Sequence, residues 1–176
     1  MLNAIKTYIK ILKEYNEHTN IYSKKAYDIL DFHIQDSITL ASIITDTPLT
    51  LFDFGSGSGL PAIPIAITNP QNTLYLIESK SRKTKFLNHV KNELNLSNIT
   101  IITKNLFEWI PPIHPQIITA KAFSHVSKVE QITKKMKLGP HSILIPISAQ
   151  QKTTYSNDPT LSFIEKNNYI YLKKTT

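Results

Sequence analysis

Between residues 4 and 17 the apolar side chains Ile5, Tyr8, Ile9, Leu12 and Tyr15 recur at helical spacing, with Lys6, Lys10, Lys13 and Glu14 outside the stripe. The pattern predicts an amphipathic helix. A second stripe, formed by Ala26, Leu30, His33, Ile34, Ser37, Ala41 and Ile44, predicts another helix from about Lys24 to Ile44, ended by Pro48. From Leu49 the period changes, and short apolar runs alternate with helical segments. The runs at 49–54, 73–78, 99–103, 116–120 and 142–147 read as strands, and the segments 61–68, 81–94 and 126–137 read as helices. Such alternation predicts βαβ units, hence an α/β fold with a doubly wound, mostly parallel sheet. The stretch from Gln150 to Thr160 is polar and turn-rich, and residues 168–174 are expected to close the sheet as a last, antiparallel strand. The 176 residues are expected to form a single domain, with N-terminal helices over 1–47 and the α/β core over 48–176.

Composition narrows the class of protein. With 41% hydrophobic residues the chain reads as globular, and its net charge of +7 with pI near 9.5 favours anionic partners such as nucleic acid. Cysteine is absent, which excludes disulfides, thiolate zinc sites and a cysteine nucleophile. The mixed N-terminus has no signal-peptide core, and no run approaches the ~18 apolar residues of a membrane span, so a cytoplasmic location without membrane contact is expected. Arg82 is the only arginine, so lysine takes nearly every basic position.

Three of the four glycines, Gly55, Gly57 and Gly59, stand at alternate positions between the first strand and the following helix. Glycine there permits φ > 0 and a close approach of ligand to backbone. The spacing G-x-G-x-G is neither the dinucleotide fingerprint, since Leu60 and Pro61 follow, nor a phosphate-binding loop ending in Gly-Lys. Glu78 ends the second strand 19 residues after Gly59, where a carboxylate reaches the hydroxyls of a ribose; a solvated helix-start acid is the alternative. Asp53, at the end of the first strand, reads either as a ligand for a cationic group or as a cap of the loop. His33 and Asp36 share a helix face with Ser37 and read as a core-edge hydrogen-bonded pair, against an acid–base or metal site, and with no other cluster at ligand spacing no metal is expected.

The segments at 8–23, 32–38, 53–67 (DFGSGSGLPAIPIAI), 77–87 (IESKSRKTKFL) and 120–126 resemble the glucose-inhibited division protein B family, class I S-adenosylmethionine-dependent methyltransferases. The resemblance implies a Rossmann-like core, S-adenosylmethionine as cofactor, and methylation of a guanine N7 in 16S ribosomal RNA, free or in the small subunit. It also implies cofactor contacts at Gly55, Leu60, Leu106, Phe107 and Lys121. Lys121 stands where the family usually has arginine, and Ala62 where it usually has glycine. Guanine N7 carries a lone pair and no proton, so positioning rather than acid–base chemistry is expected to carry the reaction, with Lys121 and Phe123 as positioning candidates.

Lys121 is expected to pair with the cofactor carboxylate, and Phe123 reads either as core or as a stacking surface for the target purine. Lys80, Arg82, Lys83 and Lys85 crowd one helix start and are candidates for RNA phosphate contact, against the reading of a solvated face. A monomer is expected. Two other classes compete: a nucleotide-dependent oxidoreductase, and a non-catalytic RNA-binding protein with a vestigial methyltransferase fold.

Overall fold

A computed structural model describes residues 1–44, 47–121 and 125–176. Seven strands form one sheet in the order β3-β2-β1-β4-β5-β7-β6. They are β1 (Thr50–Phe54), β2 (Thr73–Glu78), β3 (Ile99–Thr103), β4 (Ile117–Thr119), β5 (Ser142–Ile147), β6 (Ser162–Lys166) and β7 (Tyr169–Thr175). The first five are parallel, and β7 runs antiparallel to both β5 and β6. The predicted doubly wound sheet is present, with its order reversing between β1 and β4, the place where such sheets bind ligands.

Both faces of the sheet are covered, which explains why the strands read as continuous apolar runs. On β1, Leu51 enters one core with Tyr8, Leu12, Leu30, Ile63 and Phe86, while its neighbours Phe52 and Phe54 enter a second with Trp109, Ile118, Val129 and Ile132. The first core is roofed by α1 (Leu2–Glu17), α2 (Leu30–Ala41), α3 (Ala62–Thr68) and α4 (Ser81–Glu93), and α5 (Val126–Lys135) contributes to the second.

Three expectations change. The single helix foreseen over 24–44 is a 3₁₀ segment, Lys24–Ile29, followed by α2. Side-chain periodicity reports the buried face and not the pitch of the backbone. Here Asn16, fully buried on α1, decides the local geometry. Its amide donates to the Tyr22 carbonyl at 2.7 Å and the Tyr27 hydroxyl at 2.8 Å, and its oxygen accepts from the Ile21 and Tyr22 amides. All four of its hydrogen-bonding capacities are used, which pins residues 21–27 against α1.

The second change is a short helix, α6 (Ala149–Tyr155), in the stretch expected to be turn-rich. Ser148 and Gln151 form a reciprocal capping box, so the start signal lay in the sequence SAQQ. Finally, the last strand is one arm of a hairpin. Asn167 and Asn168 take φ of 52° and 65° between β6 and β7, the backbone of a two-residue turn that asparagine tolerates.

Candidate functional site

The loop after β1 is shaped by its own backbone. Gly55 and Ser56 amides both donate to the Ile77 carbonyl at the end of β2, at 2.9 and 3.2 Å, and Gly59 N donates to Ser56 O at 2.6 Å. Gly55, Gly57 and Gly59 have φ of 72°, 55° and 92°, the left-handed region that side chains resist. The glycines are not equivalent. A Cβ on Gly57 would meet only ordinary neighbours at 3.6 Å, whereas a Cβ on Gly59 would lie 2.5 Å from Ile63 Cγ1. Gly59 therefore serves the packing of α3 on the sheet, and Gly57 keeps the loop surface bare.

Glu78 is the hinge pin of this region. Its Oε2 accepts from the Gly57 amide at 3.1 Å and faces Lys83 Nζ at 3.9 Å, while Oε1 accepts from the Lys80 amide at 2.9 Å, the N-cap residue of α4. It is 7% exposed and borders a cavity of about 370 Å³ with Gly55, Lys83, Asn105, Leu106 and Phe107. A second cavity, about 240 Å³, lies on the other side of the loop among Tyr22, His33, Gly55, Gly57, Leu60, Lys83 and Lys121. Gly55, Gly57, Leu60, Glu78, Leu106, Phe107 and Lys121 thus line two cavities that meet at Gly55 and Lys83, and Gly59 lies in the loop between them.

Asp53 lies buried beneath the loop. Thr119 on β4 donates to its Oδ1 at 2.7 Å, and Oδ2 has no partner among the described residues. Burial pushes its carboxyl up to about 6, against the lowering effect of the Thr119 bond. Lys121, following β4, holds its ammonium 2.6 Å from Asp36 Oδ2 on α2, and both side chains are largely buried. His33 accepts or donates at Nδ1 with the Tyr22 hydroxyl at 2.6 Å, and burial, assisted by Lys121, lowers its pKa, which keeps the ring neutral near pH 7. The pair foreseen between His33 and Asp36 is corrected here: His33 bonds Tyr22, Asp36 bonds Lys121, and Ser37 Oγ on the same face donates to the His33 carbonyl. One helical turn sets these side chains on one face, but their partners come from other elements.

The basic helix start divides. Lys80, Arg82 and Lys85 are exposed, with Arg82 donating to the Asn20 carbonyl at 3.1 Å, while half-buried Lys83 turns inward to Glu78. Phe123 and Ser124 lie outside the described residues. Sequence reasoning overlooked the part played by the N-terminal helices. Tyr8 donates to the Ser58 carbonyl at 2.6 Å, tying α1 to the glycine loop, and Tyr22 walls the smaller cavity. The polar Asn16 within an otherwise apolar α1 face was the available signal. Among the described residues no group of three metal-ligating side chains lies together, and no helix is long and apolar enough to cross a membrane.

Comparison with known proteins places these features in a family. The family described as rRNA small subunit methyltransferase G (GidB) matches residues 1–173. The chain is 32% identical to ribosomal RNA small subunit methyltransferase G of Helicobacter acinonychis (strain Sheeba), over 97% of this chain and 96% of the relative. It is also 32% identical to the protein of the same name from Brachyspira hyodysenteriae, over 95% and 80% of the two chains. Among solved structures, a methyltransferase from Geobacter sulfurreducens superposes with a TM-score of 0.66 at 10% identity, covering 96% of this chain and 87% of that one. Magnesium protoporphyrin IX methyltransferase from Synechocystis, determined with bound S-adenosylmethionine, gives 0.60 at 12% identity over 94% and 95%. At such identities the structures speak for the Rossmann-like methyltransferase fold alone. The sequence match over nearly the whole chain does more, and on it the chain belongs to the rRNA small subunit methyltransferase G family.

Proposed function

We propose that the protein transfers a methyl group from S-adenosylmethionine to N7 of a guanine in 16S ribosomal RNA of the small subunit. The observation that carries this reading is the cradle made by the bare Gly57 backbone and Glu78, whose carboxylate borders one cavity while its bond to Gly57 holds the loop that borders the other. The residues present suit the cofactor. Glu78 offers acceptors for ribose hydroxyls, Leu106 and half-buried Phe107 offer an apolar wall for an adenine, Lys121 borders the second cavity as a cation for a carboxylate, and Asp53, buried beneath the loop with Oδ2 unpartnered among the described residues, is the carboxylate for an ammonium.

Held by Glu78, Leu106, Phe107 and Lys121, S-adenosylmethionine would supply a sulfonium-activated methyl group to the guanine N7 lone pair, with thioether sulfur as the leaving group. Guanine N7 carries no proton, so no general base is called for. What the chain contributes is alignment, for which ~7–11 kcal/mol is available in well-oriented reactions. Glu78 and the loop hold one end, while the Asp36–Lys121 pair and His33 hold fixed charge and a neutral ring at the other. Lys80, Arg82 and Lys85 are exposed cations suited to RNA phosphates.

The direct test is incorporation of labelled methyl groups into 16S RNA, small subunits and whole ribosomes lacking the modification. Glu78→Gln is expected to weaken cofactor binding by ~1.5–3 kcal/mol, the worth of a hydrogen bond to a charged group, as read by calorimetry. Loss of thermal stability at unchanged affinity would reduce Glu78 to a structural role.

The unusual acidity of Asp53 adds a pH signature. Its carboxyl is mostly neutral at pH 5 and mostly ionised at pH 7, being pushed up to about 6 by burial. A cationic ligand group favours the ionised form. Cofactor affinity is therefore expected to rise as pH is raised from 5 to 7 and to level off above, and Asp53→Asn is expected to flatten the profile. A wild-type affinity that does not change across this range would remove Asp53 from the site.

A further inference from the structure

A further cavity belongs to neither side of the glycine loop. It measures about 500 Å³ and opens between α2, the β5–α6 junction and the β6–β7 hairpin, among Phe32, Asp36, Ser148, Gln151, Asn168 and Tyr169. Two of its lining residues, His33 and Lys121, also line the smaller cavity beside Gly57. The two spaces therefore adjoin across the Asp36–Lys121 ion pair.

Its lining includes two aromatic rings, Tyr169, which packs against the core, and Phe32, which does not. Phe32 is 54% exposed on α2, and its ring lies 5.0 Å from that of Tyr169, inclined by 51°. An exposed phenylalanine over a cavity with polar groups along its floor is poor packing and good binding surface. The hairpin turn at Asn167–Asn168, with both residues at positive φ, brings Asn168 and Tyr169 to this rim.

We infer that this cavity receives the purine of the target nucleotide, turned out of the RNA, and that Phe32 is the surface on which the base stacks. The inference rests on the methyl-transfer reading and adds the acceptor's place to it. Three observations converge. The cavity adjoins the second cavity of the glycine loop, on the amino-acid side of the proposed cofactor site, through His33 and Lys121. Its volume lies within the range of about 300–1,000 Å³ usual for small-ligand sites. Its lining pairs aromatic faces with amide, hydroxyl and carboxylate groups, the combination by which proteins hold an unstacked base.

The chemistry gives Phe32 more to do than hold the base. Methylation at N7 makes the purine a cation, and an aromatic face attracts a cation more strongly than the neutral ring. Stacking on Phe32 is then stronger in the transition state than in the ground state, which is the condition for raising the rate rather than only the affinity.

The test uses the full chain with Phe32→Ala, Phe32→Tyr and Phe32→Trp. Because the side chain is half exposed, all three are expected to fold. With small subunits lacking the modification, Phe32→Ala is expected to lower the single-turnover methylation rate about 10- to 100-fold, the worth of one base–aromatic stack. Affinity for S-adenosylmethionine stays at the wild-type value, and the aromatic variants recover most of the rate. A binding experiment independent of turnover uses 7-methylguanosine 5′-monophosphate, whose fluorescence reports stacking. Phe32→Ala is expected to bind it at least about 10-fold more weakly than wild type. Equal binding of this probe by wild type and Phe32→Ala, or equal rates, overturns the inference. Tyrosine and tryptophan variants as defective as alanine overturn it too, since the face of the ring would not then matter. Wild-type protein that fails to methylate any ribosomal substrate, yet binds the probe in a Phe32-dependent way, overturns the methyl-transfer reading and supports the cavity as a purine site.

Discussion

Gly59→Ala is expected to destabilise the protein by roughly 3–5 kcal/mol, the sum of backbone strain at φ of 92° and overpacking. The added methyl would sit 2.5 Å from Ile63 Cγ1 and 3.2 Å from Leu87 Cδ2, and both neighbours are fully buried. The Ile63 contact, with Cβ also at 3.4 Å, is the severe one, because it lies next to the α3 backbone rather than at a flexible end. Gly57→Val, two residues earlier in the same loop, is expected to behave differently. Its Cβ finds no close neighbour, so the cost is the strain of a β-branched residue at φ of 55°, about 1–3 kcal/mol, and the protein folds. What the valine destroys is the bare backbone facing the cavity, and cofactor binding is expected to fall below detection. Chemical denaturation and calorimetry on both variants separate the roles. A stable Gly59→Ala, or a Gly57→Val with wild-type cofactor affinity, would contradict the division of labour between the two glycines.

Breaking the ion pair between α2 and the end of β4 is expected to cost as much. Lys121→Met leaves the Asp36 carboxylate, with its side chain 6% exposed, without its cation, and removing one partner of a buried pair costs about 3–5 kcal/mol. Replacing both, as in Lys121→Met with Asp36→Leu, removes the uncompensated charge and is expected to recover most of the loss. The stability of the double variant in urea is the deciding measurement, because a double variant no better than the single one would show that the pair acts through packing. Lys121→Arg is expected to retain the fold. Recovered stability of the double variant is expected without recovered methylation, since the charges that face both cavities are gone.

Electrostatics at the site therefore has two layers. Glu78 and Lys83 face the loop from β2 and α4, while Lys121, after β4, borders the loop's second cavity and is paired to Asp36 on α2. Neutral His33 stands beside the second pair, held to Tyr22. Most of these groups are tied to protein partners as well as exposed to a cavity, so the site is organised before any ligand arrives. Such preorganisation suits a reaction in which alignment supplies the catalysis.

The order of helices and strands through Ile147, the parallel sheet, the glycine turn and its acidic partner at Glu78 were legible in the sequence alone. The reason is local. Hydrophobic period distinguishes strand from helix within a few residues, and glycines at alternate positions in one turn, in a chain with four, mark a backbone that needs positive φ. The capping box at Ser148–Gln151 and the Asn167–Asn168 turn were equally local signals, passed over within a polar stretch. Other features had no local signal. That Lys121 meets Asp36 across 85 positions, that Tyr8 reaches the Ser58 carbonyl across 50, and that Lys83 turns inward while Arg82 turns to Asn20 follow from how α1 and α2 sit over the carboxyl ends of β1 and β4. The break between the 3₁₀ segment and α2 belongs with these, because the four bonds of Asn16 set the backbone pitch there. The cavity under Phe32 is the extreme case. Its walls come from residues 32–36, 121, 146–151 and 168–170, and nothing in those segments names the others until the sheet order places them together. Periodicity says which side of an element is buried; only the packed chain says against what.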